Sequence, residues 1–280
     1  MNHNSSLAIK IDAKGINAVI TNFSDGEKVK SVRLNYSEDM DNLKALEEII
    51  YDNPELIGEY RRVDIAIDNN MFFVMDIKDA ETPGEIERRI ESLWPESRHA
   101  DETEILTTPV EDDKTIFVYA VSRKLTAFLR RTFNNPLISH RLGVLAKYHA
   151  HKNRLGNMGK VHVNLSADKT DIIVFGHQGL LMANTLSTKT PEDAAYYTLA
   201  VMRHFEYDNQ ADRVLVAGNI SLREKYVGLM RNFVNFVVPE IFPSELSAAN
   251  TYESAIPFEL LLIPMIFPNS AIKKEKQETD

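Results

Sequence analysis

The chain has 280 residues, 44% of them hydrophobic and 26% charged, with a formal net charge of -9 at pH 7. These fractions are typical of a globular protein that buries a sizeable core. The acidic balance argues against a general nucleic-acid or anionic-membrane surface, because both reward clustered lysine and arginine. The absence of cysteine excludes disulfides, thiolate metal sites and cysteine nucleophiles, and it fits a reducing compartment.

No stretch of the chain reads as a targeting or membrane segment. The N-terminal residues MNHNSSLAIK contain no apolar run behind a basic start, so no signal peptide is expected. The most apolar late stretch, 258–267, contains Glu259 and Pro264 and is too short to span a bilayer. A cytoplasmic protein without membrane insertion is therefore expected, and no feature indicates an oligomeric state.

The first part of the chain predicts strands and one helix in a defined order. Short turns separate strands at 7–12, 16–23 and 29–34. An amphipathic helix follows, and Ser37 is its expected N-cap. Residues 62–68 (RVDIAID) then predict a fourth strand, because every second position in them is apolar.

The second half of the chain repeats this order. Residues 161–165 alternate apolar and polar side chains, 170–175 contain a β-branched run, and a third strand starts at Gly179. The tetrapeptide TPED at 190–193 predicts a helix start, because Thr190 can cap the helix and proline suits its first position.

The segment after this helix predicts one more strand and one more helix. Residues 213–218 (RVLVAG) read as the strand. A capping box that starts at Ser221 predicts a long helix through Val238, ended by Pro239. The apolar residues of this helix occupy more than one stripe, so it is either deeply buried or keeps one face for a partner. Burial is the favoured interpretation.

The segment between the two halves has its own pattern. It predicts, in order, a strand at 71–77, a helix after the capping box at 82–85, strands at 103–109 and 115–121 around an acidic turn at 111–113, a helix capped by Ser122, and a helix from Ser139 to about His149.

Two copies of strand-strand-strand-helix-strand-helix, half a chain apart, describe two similar α/β lobes around a cleft. This order resembles the actin-like ATPase superfamily, with its ribonuclease H-like fold, and the PilM and FtsA branch within it. The whole chain resembles a family of uncharacterised Bacteroidetes proteins of this fold. The resemblance implies mixed β-sheets with flanking helices, lobes at 1–155 and 156–270, and a small α+β insertion in the first lobe at about 78–135. The mixed-charge residues 271–280 are expected to be a disordered tail.

Members of this superfamily hold ATP between two hairpin phosphate loops. Glycine and small residues let the backbone approach the phosphates there, and a carboxylate positions Mg²⁺. The first loop of the family resembles Asp-x-Gly followed by Ser or Thr. In this chain Asp12 keeps the acid and Lys14 stands at the glycine position, while Gly15 and Ile16 replace the small hydroxyl residues.

The second loop of the family resembles Asp-x-Gly-x-x-x-Thr-Asp. Asn164 stands in place of the acid and Ser166 in place of the glycine, whereas Thr170 and Asp171 match. The adenosine-site strand of the family ends in a glycine pair, of which this chain keeps Gly218.

These departures predict a degenerate nucleotide site, because each lost glycine removes space and permissive backbone. No cofactor, metal site or catalytic residue is then expected. The retained Asp12, Thr170 and Asp171 would form ordinary turn and strand-edge hydrogen bonds. Under the alternative, in which Mg·ATP binds, the resemblance assigns the cofactor site to Asp12, Gly15, Asn164, Ser166, Thr170, Asp171 and Gly218.

Two other groups of polar residues carry weaker signals for chemistry. His149 and His151 bring two imidazoles together at a helix end without a third ligand nearby, so solvent exposure is the simpler interpretation. Asp64 and Asp68 lie four positions apart and so on one strand face, which more often marks a wet face than an acid-base pair.

Two function classes follow from the sequence. The favoured one is a cytoplasmic, non-catalytic scaffold that binds a protein partner, as the resemblance to PilM implies. The alternative is an ATP-binding or ATP-hydrolysing member of the superfamily with divergent phosphate loops. Large apolar residues at 71–73 and 233–242 predict an apolar docking surface near the inserted subdomain or the cleft.

Overall fold

The computed structural model describes residues 5–22, 28–37, 39–94, 102–110, 114–153, 160–177, 179–240 and 256–266. The acidic turn expected at 111–113 and the tail expected at 271–280 lie outside these ranges.

The described residues form thirteen strands in three sheets. The strands are β1 (Ser5–Asp12), β2 (Gly15–Asn22), β3 (Lys28–Asn35), β4 (Arg62–Ile67), β5 (Phe72–Asp76), β6 (Thr103–Pro109), β7 (Thr115–Ser122), β8 (Leu137–His140), β9 (Lys160–Leu165), β10 (Lys169–Gly176), β11 (Gly179–Ser187), β12 (Arg213–Gly218) and β13 (Phe236–Pro239).

Helices connect and cover these strands. They are α1 (Asn42–Asp52), α2 (Ile77–Ala80), α3 (Glu85–Leu93), α4 (Arg123–Thr132), α5 (Arg141–Asn153), α6 (Pro191–His204), α7 (Ile220–Met230) and α8 (Phe258–Ile266), with a 3-10 helix at Pro54–Leu56. Among the described residues, no helix combines the length and the apolarity needed to cross a membrane.

Two five-stranded sheets share one strand order. The first sheet runs β3-β2-β1-β4-β8 and the second runs β11-β10-β9-β12-β13. In each sheet the first three strands in the chain pair antiparallel, and the fourth pairs parallel with its neighbour on either side. The expected mixed α/β architecture is therefore confirmed. The lobe boundaries and the internal duplication stay predictions.

A third sheet, of order β5-β7-β6, follows β4 and is antiparallel throughout. Phe73, Met75 and Val118 form a small core under it, which α3 covers with Ile86 and Ile90. Its first strand starts at 72, six positions before the boundary of about 78 expected for the insertion.

The large sheets bury both of their faces. Alternate side chains of a strand point to opposite faces. On one face of the first sheet, Leu7 and Ile9 pack against α1 and α4. On one face of the second sheet, Val161 and Val163 pack against α6 and α7. These apolar positions are the ones that the sequence alternation predicts.

The opposite faces of the two sheets are covered by α5 and α8, which cross between them. Helix α5 follows the last strand of the first sheet and packs on β10 and β11 of the second sheet. Helix α8 follows the second sheet and packs on β1 and β2 of the first, and the two helices contact each other. The polar residues at alternate positions of these strands therefore lie between the two sheets instead of facing solvent.

The structure corrects three helix boundaries. Helix α7 ends at Met230, and 236–239 form a strand instead of continuing the helix to Val238, because they pair with the free edge of β12. Helix α5 starts at Arg141, since the preceding residues pair with β4. Asp41, instead of Ser37, caps α1.

The cap expected at the start of α6 is confirmed. The Thr190 hydroxyl accepts a hydrogen bond from the Asp193 backbone N–H at 3.2 Å, and the Asp193 carboxylate accepts one from the Thr190 N–H at 3.0 Å. This reciprocal pair is a capping box, in which each partner satisfies a backbone donor of the first helical turn.

Candidate functional site

A hairpin turn joins β1 to β2 at one end of the first sheet. The Asp12 carboxylate accepts a hydrogen bond from the Lys14 backbone N–H at 2.8 Å. Gly15 adopts a φ of 152°, and a Cβ at this position would lie 2.1 Å from the Leu34 carbonyl oxygen. The close approach of β2 to β3 therefore requires this glycine whether or not a ligand binds.

A second hairpin turn joins β9 to β10 in the second sheet. The Ser166 N–H donates to the Lys169 carbonyl oxygen at 2.9 Å, and the buried hydroxyls of Thr170 and Thr188 lie 2.8 Å apart. Gly218 ends β12 with a φ of 96°, and a Cβ there would lie 2.1 Å from a backbone oxygen of β9. Strand pairing explains this glycine as well.

Two ion pairs join the second turn to the first sheet. The Lys14 Nζ lies 2.6 Å from Asp168 Oδ2, and both side chains are more than half exposed. The Lys169 Nζ lies 2.5 Å from Asp68 Oδ2, where the Asp68 side chain is only 5% exposed. These contacts fill the space between the turns with side chains of the protein itself.

Arg141 lies at the centre of the buried layer beneath the turns. Its guanidinium donates two hydrogen bonds to the Asp171 carboxylate, at 2.5 and 2.7 Å. Its Nε lies 3.0 Å from Asp68 Oδ1, and its side chain is 1% exposed. A planar guanidinium matches a carboxylate in this two-point arrangement better than an ammonium would.

The remaining hydrogen-bonding capacity of Asp171 is used by uncharged side chains. The Asn164 amide donates to Asp171 Oδ2 at 2.9 Å, and the Thr185 hydroxyl donates to Asp171 Oδ1 at 2.8 Å. The Asp171 side chain is 0% exposed. A buried carboxylate is tolerated only when such partners replace its lost hydration.

Lys10 and Glu259 complete the layer from the opposite side. The Lys10 Nζ lies 3.3 Å from Glu259 Oε1, 3.8 Å from Asp68 Oδ2 and 3.9 Å from Asp12 Oδ2. Glu259 lies on α8 and its side chain is 3% exposed. Among the described residues, the buried layer therefore opposes the cations Lys10, Arg141 and Lys169 to the carboxylates Asp68, Asp171 and Glu259.

The cations keep two of these carboxyl groups, Asp68 and Asp171, ionised. Burial alone would raise the pKa of Asp68, but the charges of Arg141, Lys169 and Lys10 outweigh it and lower that pKa to about 2. Burial likewise opposes ionisation of Asp171, and its contacts with Arg141 still lower its pKa. The same contacts raise the pKa of Arg141 against the effect of burial. Asp68, Asp171 and Arg141 are thus charged throughout the physiological pH range.

Little open volume remains beside the second turn. A cavity lined by Ser166, Thr170, Thr188, Lys189 and Leu222, among others, has a volume of about 10 Å³. This is about the room needed by one water molecule, whereas small-molecule sites usually enclose roughly 300–1,000 Å³.

The structure brings only part of the expected site together. Asn164 and Asp171 contact each other directly. Asp12 is linked to Asp171 only indirectly: Lys10 pairs with both Asp12 and Asp68, and Arg141 pairs with both Asp68 and Asp171. Asp171 does more than the expected strand-edge hydrogen bonding, since it is the buried partner of Arg141. The other residues assigned to the cofactor site are accounted for by strand geometry or by local hydrogen bonds within the protein. They are Gly15, Ser166, Thr170 and Gly218.

The central cations and two of their partners were not expected from the sequence. The Asp68 side chain is only 5% exposed and Asp64 is buried, so the interpretation of this pair as a wet face is wrong. Arg141, Lys10 and Glu259 come from three distant parts of the chain, and no local spacing connects them. One signal in the sequence could have indicated this layer. A charged residue such as Lys10 stands within a strand of a sheet that helices cover on both faces.

A larger groove lies on the second sheet's outer side, between α6 and the segment after α7. It has a volume of about 770 Å³. Tyr196 and Phe233 on its wall are 68% and 51% exposed, and Arg203 and Asp208 also line it. By contrast, the apolar cluster expected at 71–73 packs inward: the Phe72 ring lies 4.4 Å from that of His140, and Phe73 is buried.

The two matching sheets, the inserted third sheet and the facing hairpin turns define a class, the actin-like ATPase fold. A crystal structure of a Bacteroides thetaiotaomicron protein described as having this fold and unknown function matches with a TM-score of 0.72 at 20% identity, covering 90% of this chain and 97% of that one. The structure of a PilM-PilN type IV pilus biogenesis complex matches with a TM-score of 0.58 at 13% identity, covering 94% and 99%.

The chain belongs to the family described as a protein of unknown function (DUF3822), whose match covers residues 1–237. No curated protein matches the chain. The expected similarity to PilM and to an uncharacterised family of actin-like fold is confirmed.

Proposed function

We propose that this protein is a non-catalytic, protein-binding member of the actin-like ATPase fold, whose nucleotide site has been replaced by an internal ionic layer. The observation that carries the proposal is the buried pairing of Arg141 with Asp171 and Asp68. In a nucleotide-binding relative, the carboxylate that Asp171 matches would be expected to lie at the second phosphate loop. Here its charge is already neutralised by the chain's own Arg141.

The residues present do not fit Mg·ATP. A metal ion near Asp171 would have to displace Arg141, which holds both carboxylate oxygens. Breaking a buried ion pair by removing one partner typically costs about 3–5 kcal/mol. A triphosphate between the turns would also have to separate Lys14 from Asp168 and Lys169 from Asp68. The cavity of about 10 Å³ beside the second turn supports the same conclusion.

The alternative function is ATP binding or hydrolysis with divergent phosphate loops. Asp12 and the pair Thr170-Asp171 match the family pattern, and Lys14 and Lys169 are cations of the kind that could contact phosphate oxygens. Both lysines are ion-paired to aspartates in the structure. Direct binding of Mg·ATP separates the two functions.

The partner we propose is a protein segment that inserts apolar side chains into the groove beside α6. PilM, which shares this fold, is seen in complex with PilN. The groove has the volume of a ligand site and presents two exposed aromatic rings, Tyr196 and Phe233. Buried aromatic anchors supply much of the binding energy of protein interfaces. This groove replaces the 71–73 cluster as the candidate docking surface.

The test is site-specific photo-crosslinking in the native cells, with the crosslinking residue placed at Leu199. The expected result is one reproducible protein adduct that Phe233→Asp and Tyr196→Asp abolish. Leu181→Asp is the matched control, because Leu181 is 46% exposed but lies on β11, at the opposite edge of the sheet from β13. No adduct, or an adduct that survives both groove substitutions, would contradict the proposed docking surface.

A further inference from the structure

Three buried side chains of types that can ligate a metal converge on the inner face of the second sheet. His149 comes from α5, His162 from β9, and Glu240 directly follows β13. One ligand atom from each lies within 4.8 Å of the other two. The three residues are 3%, 4% and 5% exposed. The expectation that His149 is solvated and lacks a nearby third ligand is therefore wrong.

Regular structure fixes the backbone under each of these residues. His162 is paired in register with Ile173 on one side and Leu215 on the other. The Glu240 N–H donates to the Val216 carbonyl oxygen at 2.7 Å, which extends the pairing of β13 with β12 by one residue. Ligands held on rigid elements keep a site in place without rearrangement of the chain.

Aromatic rings surround the cluster. The ring centroid of Tyr148 lies 5.2 Å and that of Phe258 6.4 Å from His149. The Phe175 ring lies 5.8 Å from His162, edge to face. Such a shell keeps water away and lowers the local dielectric constant, which strengthens the attraction between a carboxylate and a cation.

The two imidazoles and the carboxylate lie close enough together to share one cation. The rings of His149 and His162 stack at 3.7 Å with an angle of 25° between them, and His162 Nδ1 lies 3.7 Å from Glu240 Oε2. One proton could pair the carboxylate with only one imidazole, because two stacked imidazolium ions would repel each other. A divalent metal uses both neutral imidazoles and the carboxylate together.

We propose that His149, His162 and Glu240 form a Zn²⁺ site. Two imidazoles and one carboxylate are an established ligand set for this metal, and imidazole donors suit it. Ligands about 2.1 Å from a tetrahedral zinc ion lie roughly 3.4 Å apart. The ligand atoms, which lie within 4.8 Å of one another, would therefore move closer together by up to about 1.4 Å. The ion would tie α5, which leaves the first sheet, to the second sheet. This site does not depend on the proposed function of the protein.

The experiment uses the full chain, stripped of metal with a chelator and titrated with Zn²⁺ alone by calorimetry. The expected result is one equivalent of Zn²⁺ bound, and a rise in melting temperature on binding. Glu240→Gln, which keeps shape and removes charge, and His162→Gln are expected to weaken binding at least tenfold, by analogy with metal-site substitutions. His204→Gln is the matched control, since His204 is exposed on α6, and it is expected to leave binding unchanged.

Substitution with Co²⁺ gives a readout that does not depend on any variant. A tetrahedral Co²⁺ ion bound by nitrogen and oxygen shows visible absorption bands stronger than those of the hydrated ion, and excess Zn²⁺ should remove them. If His162→Gln fails to fold, Glu240→Gln and the Co²⁺ spectrum still decide. Failure of the wild-type chain to bind Zn²⁺, or equal binding by wild type and Glu240→Gln, would overturn the proposal.

Discussion

The Lys14 Nζ lies 2.6 Å from Asp168 Oδ2, although 154 positions separate the two residues in the chain. This pair joins the tips of the hairpin turns between β1 and β2 and between β9 and β10. The contact raises the pKa of Lys14 and lowers that of Asp168. Both side chains are more than half exposed, so the pair closes the gap while contributing little to stability.

The buried pairs below the turns should be far more sensitive to loss of one partner than the exposed pair. Replacement of Arg141 by methionine is expected to lower the free energy of unfolding by about 3–5 kcal/mol, because it leaves buried carboxylates uncompensated. Chemical denaturation measures the change. Arg130→Met is the control: its partner is Glu104 and its side chain is 51% exposed, so its loss should cost less than about 1 kcal/mol. Similar losses for the two variants would show that the buried layer has no special role.

A second substitution, at Asp171, should partly compensate for the loss of Arg141. Asp171→Asn in the Arg141→Met background removes the unpaired charge, so the double variant should be more stable than Arg141→Met alone. A double-mutant cycle by urea denaturation gives the coupling energy. Additive losses would contradict direct coupling between Arg141 and Asp171.

Acid should destabilise the protein through His140. This imidazole is fully buried, and burial lowers its pKa to about 4, against about 6.5 in the unfolded chain. The unfolded state therefore binds more protons between these values. The stabilisation is complete above pH 6.5 and falls by about 3 kcal/mol as the pH drops to 4.

Substitution isolates this contribution of His140. The ring packs between the aromatic rings of Phe72, Phe117 and Tyr119, so His140→Phe keeps an aromatic ring and removes the titration. Its unfolding free energy should change less between pH 6.5 and 4 than that of the wild type. The exposed His204 provides the control in His204→Phe, which should keep the wild-type slope. Equal slopes for His140→Phe and wild type would count against the assignment.

The capping box of α6 should have a measurable effect. Thr190→Ala removes the hydroxyl that accepts from Asp193, and loss of such a cap costs about 1 kcal/mol. Ser122→Ala is a matched control, because Ser122 also stands at an N-cap but its side chain makes no capping hydrogen bond. Thermal denaturation of both variants compares them. Equal effects at the two caps would contradict the geometry described for Thr190.

The sequence predicted local structure better than it predicted the site. Strand alternation around Val161 and the cap at Thr190 depend on neighbouring residues, so they could be read directly. The strand at 236–239 was read as helix because its pairing with β12 is not local. The layer around Arg141 draws residues from positions 10, 68, 141, 171 and 259. No spacing in the chain relates these positions, and the pairing of β1 with β4 and the crossing of α5 and α8 bring them together.

The glycine positions illustrate the same limit. Gly218 matches the adenosine-site pattern of the family, yet its φ of 96° and its contact with β9 already require glycine. A motif residue can therefore be required for packing whether or not a ligand binds. The retained residue by itself does not distinguish the two functions.

Binding of Mg·ATP to the wild-type chain tests the central claim most directly. A ligand at ~100 times its dissociation constant adds ~2.7 kcal/mol to the stability of the folded state, which raises the melting temperature of a chain of this size by several degrees. The ionic layer predicts no binding heat in calorimetry and no rise in melting temperature at millimolar Mg·ATP. Saturable heat with a rise of several degrees, absent with inorganic triphosphate at the same ionic strength, would contradict the account.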